Sequence, residues 1–377
     1  MKKMIILIIA AVLAVLVLSC QNESVPGGQL ADTPKLVKPV FSIGGGLHNN
    51  DLTIALSSSE KDAEIRYTTD GSVPTKSSPV YKTPVAINGN GTVVKLSAMA
   101  FADGKKSSDV ASESYCIRYP VHKRISYSSG DDGQYGTADD VIRGYRHYGH
   151  DSDGRMIIYA DRNGKGADGD WLTDDDTVRM FYIFKYDQNG RMIESRNYYP
   201  IAGDTELIVS DDRLRGLERY SYSSDGLQRK CLFYKEGPDG TWNTEDDVIS
   251  QYSIEIFSSE GVSIWYKSYD FGGDDTPYTD DDYISYLLGY ENDSFGVRKK
   301  RIFYSAGDDG KLGTSDDVAS TYFAYELTGD ASFEHVRYYS SGPDGKCFSS
   351  DDNITSYHRN LFGLNEYDIS GLKWEGY

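Results

Sequence analysis

From residue 130 onward the chain carries three columns of aspartate. The first column is Asp132, Asp168, Asp204, Asp239, Asp274, Asp309 and Asp344. Seven residues after each comes a pair: Asp139-Asp140, Asp175-Asp176, Asp211-Asp212, Asp246-Asp247, Asp281-Asp282, Asp316-Asp317 and Asp351-Asp352. Three carboxylates within one turn repel each other. A hard cation relieves that repulsion, because Ca²⁺ collects six to eight oxygens from carboxylates, carbonyls and water. Gly133, Gly169, Gly240, Gly310 and Gly345 follow the first aspartate and allow the backbone to turn. Calcium is therefore the expected cofactor of six copies. The copy at 202–214 lacks that glycine and is expected to be the weakest site or none. The same residue types also make stable acidic turns without any metal, and spacing does not decide between the two readings.

Other chemistry is thin. The six histidines occupy no shared repeat position, and no nucleophile, zinc or phosphate-loop motif occurs. Carboxylate pairs for glycoside hydrolysis stay open only because their separation in space is not in the sequence. No copy stands out as a catalytic centre, so no enzyme is expected. Trp171, Trp242 and Tyr278 break the pattern inside the loops and are candidates for contact with a glycan or a protein partner.

The elements that carry the loops follow from the period. The first aspartates of the pairs are spaced by 36, 36, 35, 35, 35 and 35 residues, which is a repeat array. A strand follows each pair, with an aliphatic second position (Ile142, Val178, Leu214, Ile249, Ile284, Ala319, Ile354). Its fifth position is aromatic or leucine (Tyr145, Phe181, Leu217, Tyr252, Leu287, Tyr322, Tyr357). A short turn such as DSDG (151–154) or DQNG (187–190) leads to a second strand, which ends in a tyrosine column: Tyr127, Tyr199, Tyr234, Tyr269, Tyr304 and Tyr339, with Asn163 as the exception. The fold class is all-β: an N-terminal immunoglobulin-like sandwich, then seven antiparallel hairpins forming a curled meander or a barrel. The aliphatic and aromatic columns are three residues apart, so they are expected on opposite faces unless a bulge intervenes.

The segment YDQNGRMIESRNYY (186–199) resembles the YD repeat of Rhs-type proteins at Tyr186, Asp187, Gly190 and Arg191, which implies a hairpin array. The acidic loops broadly resemble Asp/Gly-rich calcium loops of bacterial surface repeats. Upstream, EIRYTTDGSVPTKSSPVY (64–81) resembles the chitobiase/β-hexosaminidase C-terminal type of immunoglobulin-like domain. The matching residues are Ile65, Tyr67, Thr68, Asp70, Gly71, Pro74, Thr75, Ser78 and Tyr81. The resemblance implies a β-sandwich over residues 39–117 that acts mainly as a spacer.

At the N-terminus, Lys2 and Lys3 precede an apolar run to Leu18, which is the pattern of a signal peptide over 1–19. Val17-Leu18-Ser19-Cys20 resembles a bacterial lipobox, which implies lipidation of Cys20 and a flexible tether over 20–38. By that resemblance the expected location is the bacterial outer membrane or cell surface, with the lipid as the membrane partner. The repeat region is expected over 118–377. Cys116, Cys231 and Cys347 form no disulfide framework, and a formal net charge of −19 argues against a nucleic-acid partner.

Overall fold

A computed structural model describes residues 33–200 and 212–363. The expected signal peptide, Cys20, most of the tether, Asp204 and Asp211 lie outside the described residues. The described chain is all-β.

Eight short strands come first: β1 (Val40–Phe41), β2 (Gly46–His48), β3 (Leu52–Ile54), β4 (Leu56–Ser57), β5 (Glu64–Thr68), β6 (Val85–Ile87), β7 (Val93–Phe101) and β8 (Ala111–Ile117). They form a four-stranded sheet in the order β2-β8-β7-β5 and the two-stranded sheets β1-β4 and β3-β6. Two compact units divide the chain. The first holds Leu56–Thr83, Ser97–Ser112 and the segment ending at Ser42. Here Glu64–Thr68 pairs antiparallel with Ser97–Phe101, burying Ile65, Ala98 and Ala100. The motif around Asp70 is structural. Its carboxylate accepts the Ser72 amide at 3.0 Å and the Ser72 hydroxyl at 2.6 Å, while Gly71 takes φ 78°. Tyr81 then donates its amide to the Ile65 carbonyl at 2.8 Å, docking the segment after the turn against β5.

The second unit holds Ile43–Ala55, Pro84–Leu96 and the chain from Glu113 onward. Its dominant feature is built from β9 (Val121–Ser128), β10 (Val141–His150), β11 (Met156–Gly164), β12 (Thr177–Tyr186), β13 (Met192–Tyr199), β14 (Arg213–Tyr222) and β15 (Gln228–Lys235). It continues with β16 (Val248–Phe257), β17 (Ser263–Asp270), β18 (Tyr283–Asn292), β19 (Arg298–Ser305), β20 (Val318–Leu327), β21 (Phe333–Ser340) and β22 (Asn353–Phe362). Every strand pairs antiparallel with its chain neighbours, and β22 pairs with β9, so the 14 strands close into a barrel. Closure decides between the meander and the barrel. It gives every edge N–H and C=O a partner, which an open sheet of this width leaves exposed.

The short turns share one geometry. Gly154, Gly190, Gly226, Gly261 and Gly296 each return an amide to the carbonyl three residues earlier at 2.9 Å, with φ between 73° and 83°. In the sixth turn Ala331 takes that place at φ 57°.

One expectation is corrected. The aliphatic and aromatic columns lie on the same face, because a bulge separates them in every strand that follows an acidic loop. Tyr234 pairs with Ile249 and Leu232 with Tyr252, so one residue, Ser250, is left over. The register shifts likewise after Ile142, Leu214, Ile284, Ala319 and Ile354. A bulge leaves a carbonyl without its ladder partner. Hydroxyls supply one: Ser250 bonds the Phe233 carbonyl (3.3 Å), Ser285 that of Ser268 (3.4 Å), Ser320 that of Phe303 (3.2 Å) and Thr355 that of Tyr338 (3.3 Å).

Candidate functional site

The six described acidic loops are one structure repeated. The first aspartate caps the amide two residues on, as when Asp132 accepts Gln134 N–H at 2.7 Å and Asp344 accepts Lys346 N–H at 2.8 Å. The next glycine takes φ near 70°, and Asp275 fills that place at φ 55° in the copy without one. The first member of the pair reaches back across the loop. Asp139 accepts the Asp132 amide at 3.0 Å and the Thr137 hydroxyl at 2.7 Å, and Asp351 accepts the Asp344 amide at 3.1 Å and the Ser349 hydroxyl at 2.6 Å. The opening glycine permits this approach. A Cβ at Gly342 would lie 2.0 Å from the Asp351 carbonyl oxygen.

The second member of the pair caps the amide four residues earlier, at 2.7–2.8 Å in all six loops. That amide belongs to Gly136, Leu172, Asn243, Tyr278, Gly313 or Phe348, each with φ between 66° and 91°. Left-handed backbone is unfavourable for a bulky residue. In Tyr278 and Phe348 the side chain gains packing in return: Tyr278 lies 4.4 Å from the Tyr252 ring and Phe348 lies 4.6 Å from Tyr322. Phenols tie one repeat to the next, since Tyr145 donates to Asp176 (2.7 Å), Tyr252 to Asp282 (2.8 Å) and Tyr322 to Asp352 (2.9 Å).

These bonds set the electrostatics. The Thr137 hydroxyl and the Asp132 amide hold Asp139 below its usual 3.8, and Thr314 and the Asp309 amide do the same for Asp316. Burial works to raise Asp282, but the Tyr252 hydroxyl with the Thr279 and Tyr278 amides outweighs it, and the carboxyl ends below 3.8. Most carboxylate oxygens of the candidate metal ligands therefore point at backbone and hydroxyl donors, whereas one oxygen each of Asp140, Asp176 and Asp317 is buried without a hydrogen-bond partner. Among the described residues, no three His, Cys, Asp or Glu side chains form a group that could hold a metal ion.

Trp171 and Trp242 are half-buried. Trp171 packs edge-on against Tyr145 at 6.4 Å, and Trp242 donates its indole N–H to the Leu214 carbonyl at 3.1 Å. Tyr278 is 44% exposed and carries Lys230 4.5 Å from its ring.

The two faces of the wall can be told apart by which side chains converge. Phe303 on β19 contacts Tyr338 on β21 at 5.7 Å, and Phe323 on β20 contacts His358 on β22 at 6.4 Å. Both contacts skip a strand. Strands two apart are separated by roughly 10 Å, so such contacts mark the concave side. The same face encloses a cavity of about 220 Å³ with walls from four consecutive strands, β14 to β17, and one of about 570 Å³ with walls from β15 to β19. This is the lumen.

The opposite, outer face carries the columns as cross-strand pairs. Phe181 stacks on Tyr198 (5.0 Å), Tyr252 on Tyr269 (4.7 Å) and Tyr322 on Tyr339 (4.8 Å), and Tyr357 meets Tyr127 (5.5 Å) across the closing seam. In β13 the column residue is Tyr198 rather than Tyr199, which is 42% exposed. In β11 it is Arg162 rather than Asn163. The 36-residue copies are thus one step out of register with the 35-residue ones. Below the columns the outer face is charged, with cross-strand pairs Lys300–Glu291 (2.9 Å), Arg337–Glu326 (2.6 Å) and Lys185–Glu194 (3.3 Å).

The lumen is where sequence reasoning found nothing. Glu218 accepts the Ser195 hydroxyl at 2.7 Å and a hydrogen bond from Tyr220, and Arg229 pairs with Glu255, which also accepts the Ser263 hydroxyl at 2.6 Å. Burial pushes the Cys231 thiol up, so it stays protonated and inert. A wider recess of about 1120 Å³ adjoins the short turns, lined by Tyr290, Arg298 and turn backbone such as Gly261 and Gly296.

Comparison with known proteins locates one part of the chain. The family described as Fn3 associated matches residues 54–115, so this segment is an immunoglobulin/fibronectin-like module. No curated protein matches the chain. Solved structures with some likeness include a protein of unknown function from Bacteroides fragilis, at 10% identity and a TM-score of 0.27, covering 37% of this chain and 90% of that one. A DUF3836 family protein from Bacteroides vulgatus gives 15% identity and a TM-score of 0.19, covering 26% and 84%. A porin-like protein from Bacteroides uniformis gives 11% identity and a TM-score of 0.23, covering 64% and 96%.

Proposed function

We propose that this is a lipid-tethered surface protein whose barrel stands in water beside the membrane and serves as a binding module rather than a catalyst. The observation that carries the reading is the charged outer face. Register places Arg196 beside Leu217, Lys267 beside Leu287, Arg337 beside Tyr357 and Arg359 beside Ile125, all on the side away from the lumen. An Arg or Lys facing lipid at mid-depth costs about 2–4 kcal/mol. Four such residues, with the ion pairs named above, oppose insertion of this wall into a bilayer. Lipidation at Cys20 would supply the membrane attachment instead.

Calcium enters the proposal as a second occupant of loops that already close on themselves. To bind, the ion would draw Asp132, Asp139 and Asp140, or their counterparts, away from the amides they cap.

Flotation on liposomes tests the reading. The full, lipidated chain is expected to float, and residues 24–377 to stay in the aqueous fraction as a monodisperse species. Spontaneous insertion of the lipid-free chain, with ion conductance in a planar bilayer, would overturn it. Melting the same sample in EDTA and in millimolar Ca²⁺ decides the metal. A Ca²⁺-specific rise of several degrees is expected if the loops bind it, and superimposed melts with Ca²⁺, Mg²⁺ and EDTA would remove calcium.

A further inference from the structure

The larger lumenal cavity is built from unlike parts. Phe233, Tyr266, Tyr286 and Tyr290 give it aromatic walls, with Tyr286 edge-on to Tyr266 (6.4 Å) and to Phe303 (5.7 Å). Gln251, Ser268 and Ser285 line the same space with neutral polar groups, and Asp270 adds a carboxylate that accepts from Gln251 at 3.3 Å and from Ser285 at 3.1 Å. Its volume, about 570 Å³, lies in the range of small-molecule sites.

Arg301 is the group without an internal explanation. It lines the cavity, rests 5.3 Å from the Phe303 ring and has the Tyr286 hydroxyl within reach, yet its Nε–H is buried with no acceptor. Arg298, three residues earlier, lines the adjoining recess on the far side of Tyr290, 3.8 Å from that ring, and its Nε–H is likewise buried without an acceptor. The neighbouring cavity shows the ordinary solution, where Arg229 pairs with Glu255. A buried guanidinium donor left unmet costs stability and is retained where something else completes it. The planar fork of arginine matches an oxyanion. Tyr290 keeps its proton, because burial pushes its phenol up to about 12 against the pull of both arginines, so it too is a donor.

We propose that the lumen binds an acidic sugar: its carboxylate on Arg301, with the Arg298 charge behind it, its ring against the Tyr266–Tyr286 wall, and its hydroxyls on Ser268 and on the Gln251–Asp270–Ser285 cluster. This rests on the reading of the chain as a binding protein only in requiring the barrel to be stable in water. Monodispersity of residues 24–377 in detergent-free buffer checks that requirement before any ligand is added.

Calorimetric titration of that sample with glucuronate, glucose and acetate tests the inference. Glucuronate is expected to bind, and glucose and acetate to bind at least about tenfold more weakly, roughly 1.4 kcal/mol. Arg301→Gln is expected to weaken glucuronate at least tenfold with an unchanged circular dichroism spectrum, and Arg298→Gln to weaken it less. Arg337→Gln, on the outer face, should leave binding as it was. No heat with glucuronate at about 10 mM would overturn the proposal, as would equal binding of acetate or wild-type affinity in Arg301→Gln. Should Arg301→Gln fail to fold, Ser285→Phe, which fills the cavity from another strand, is expected to abolish binding, and retained binding there would overturn the proposal equally.

Discussion

The outer and inner faces of the barrel wall share every strand and obey different rules. On the outer face one repeat position reads Tyr127, Arg162, Tyr198, Tyr234, Tyr269, Tyr304 and Tyr339 around the ring. Three residues earlier, on the inner face, the same strands read Arg124, Tyr159, Ser195, Cys231, Tyr266, Arg301 and Val336. The outer column is nearly uniform because each ring must stack on its cross-strand partner and accept a loop above it. The inner column meets unlike partners, since Tyr159 stacks on Tyr182 at 4.7 Å, Ser195 donates to Glu218 and Arg124 donates to Asn360 at 2.7 Å, so no single residue type is required there. Repetition here builds the wall, and departure from repetition furnishes the interior.

That contrast can be broken by mutation. Phe181 is fully buried in the outer cluster with Ile158, Ala160, Ile183 and Tyr198, so Phe181→Ala is expected to cost about 3–5 kcal/mol. Tyr266→Ala on the inner face should cost less than about 2 kcal/mol. Chemical denaturation of both variants checks this, and equal losses would erase the distinction.

Acid separates two classes of group. His147 and His358 are held neutral by burial, with Lys123 and Arg162 adding to it at His147 and Arg124 and Arg146 at His358, and their values fall from 6.5 to about 3 and about 4. A lowered folded value means that stability is complete above 6.5 and drains as pH falls toward the folded value. The loop carboxylates begin lower, being full contributors above 3.8 and losing their bonds below it. Melting temperature is therefore expected to decline gently between pH 6.5 and 4 and steeply beneath that. His358→Asn should flatten the first limb alone.

The smallest expected effect tests the bulges. Ser320→Ala removes the hydroxyl from the Phe303 carbonyl and should cost about 0.5–1.5 kcal/mol in a urea titration, with no change in lumenal binding.

Much of the wall was legible in advance. The period, the hairpins and the loop columns all stand in the sequence, because each loop must satisfy the same amides. The bulge was hidden, since one unpaired residue leaves no gap in a spacing of 35. Its trace is Ser250, Ser285, Ser320 and Thr355, a hydroxyl recurring where a carbonyl needs a donor. The slip from Tyr199 to Tyr198 was hidden in the same way by the 36-residue copies. The left-handed position was readable from Gly136, Asn243 and Gly313, and Tyr278 and Phe348 masked it by trading backbone comfort for ring packing. The lumenal arginines left no signal at all, because nothing in the neighbouring copies repeats them.

The pairing of β22 with β9 turns the copy number into a closure condition. An open stack of repeats lengthens or shortens one unit at a time with its local geometry intact. In a ring, an added or deleted hairpin changes the circumference, the strand tilt and the stagger together, and every interior side chain then faces a different distance to the far wall. Gain or loss of a single copy would therefore reshape the whole chamber at one stroke, whereas substitutions inside a fixed ring of hairpins can alter its contents one side chain at a time.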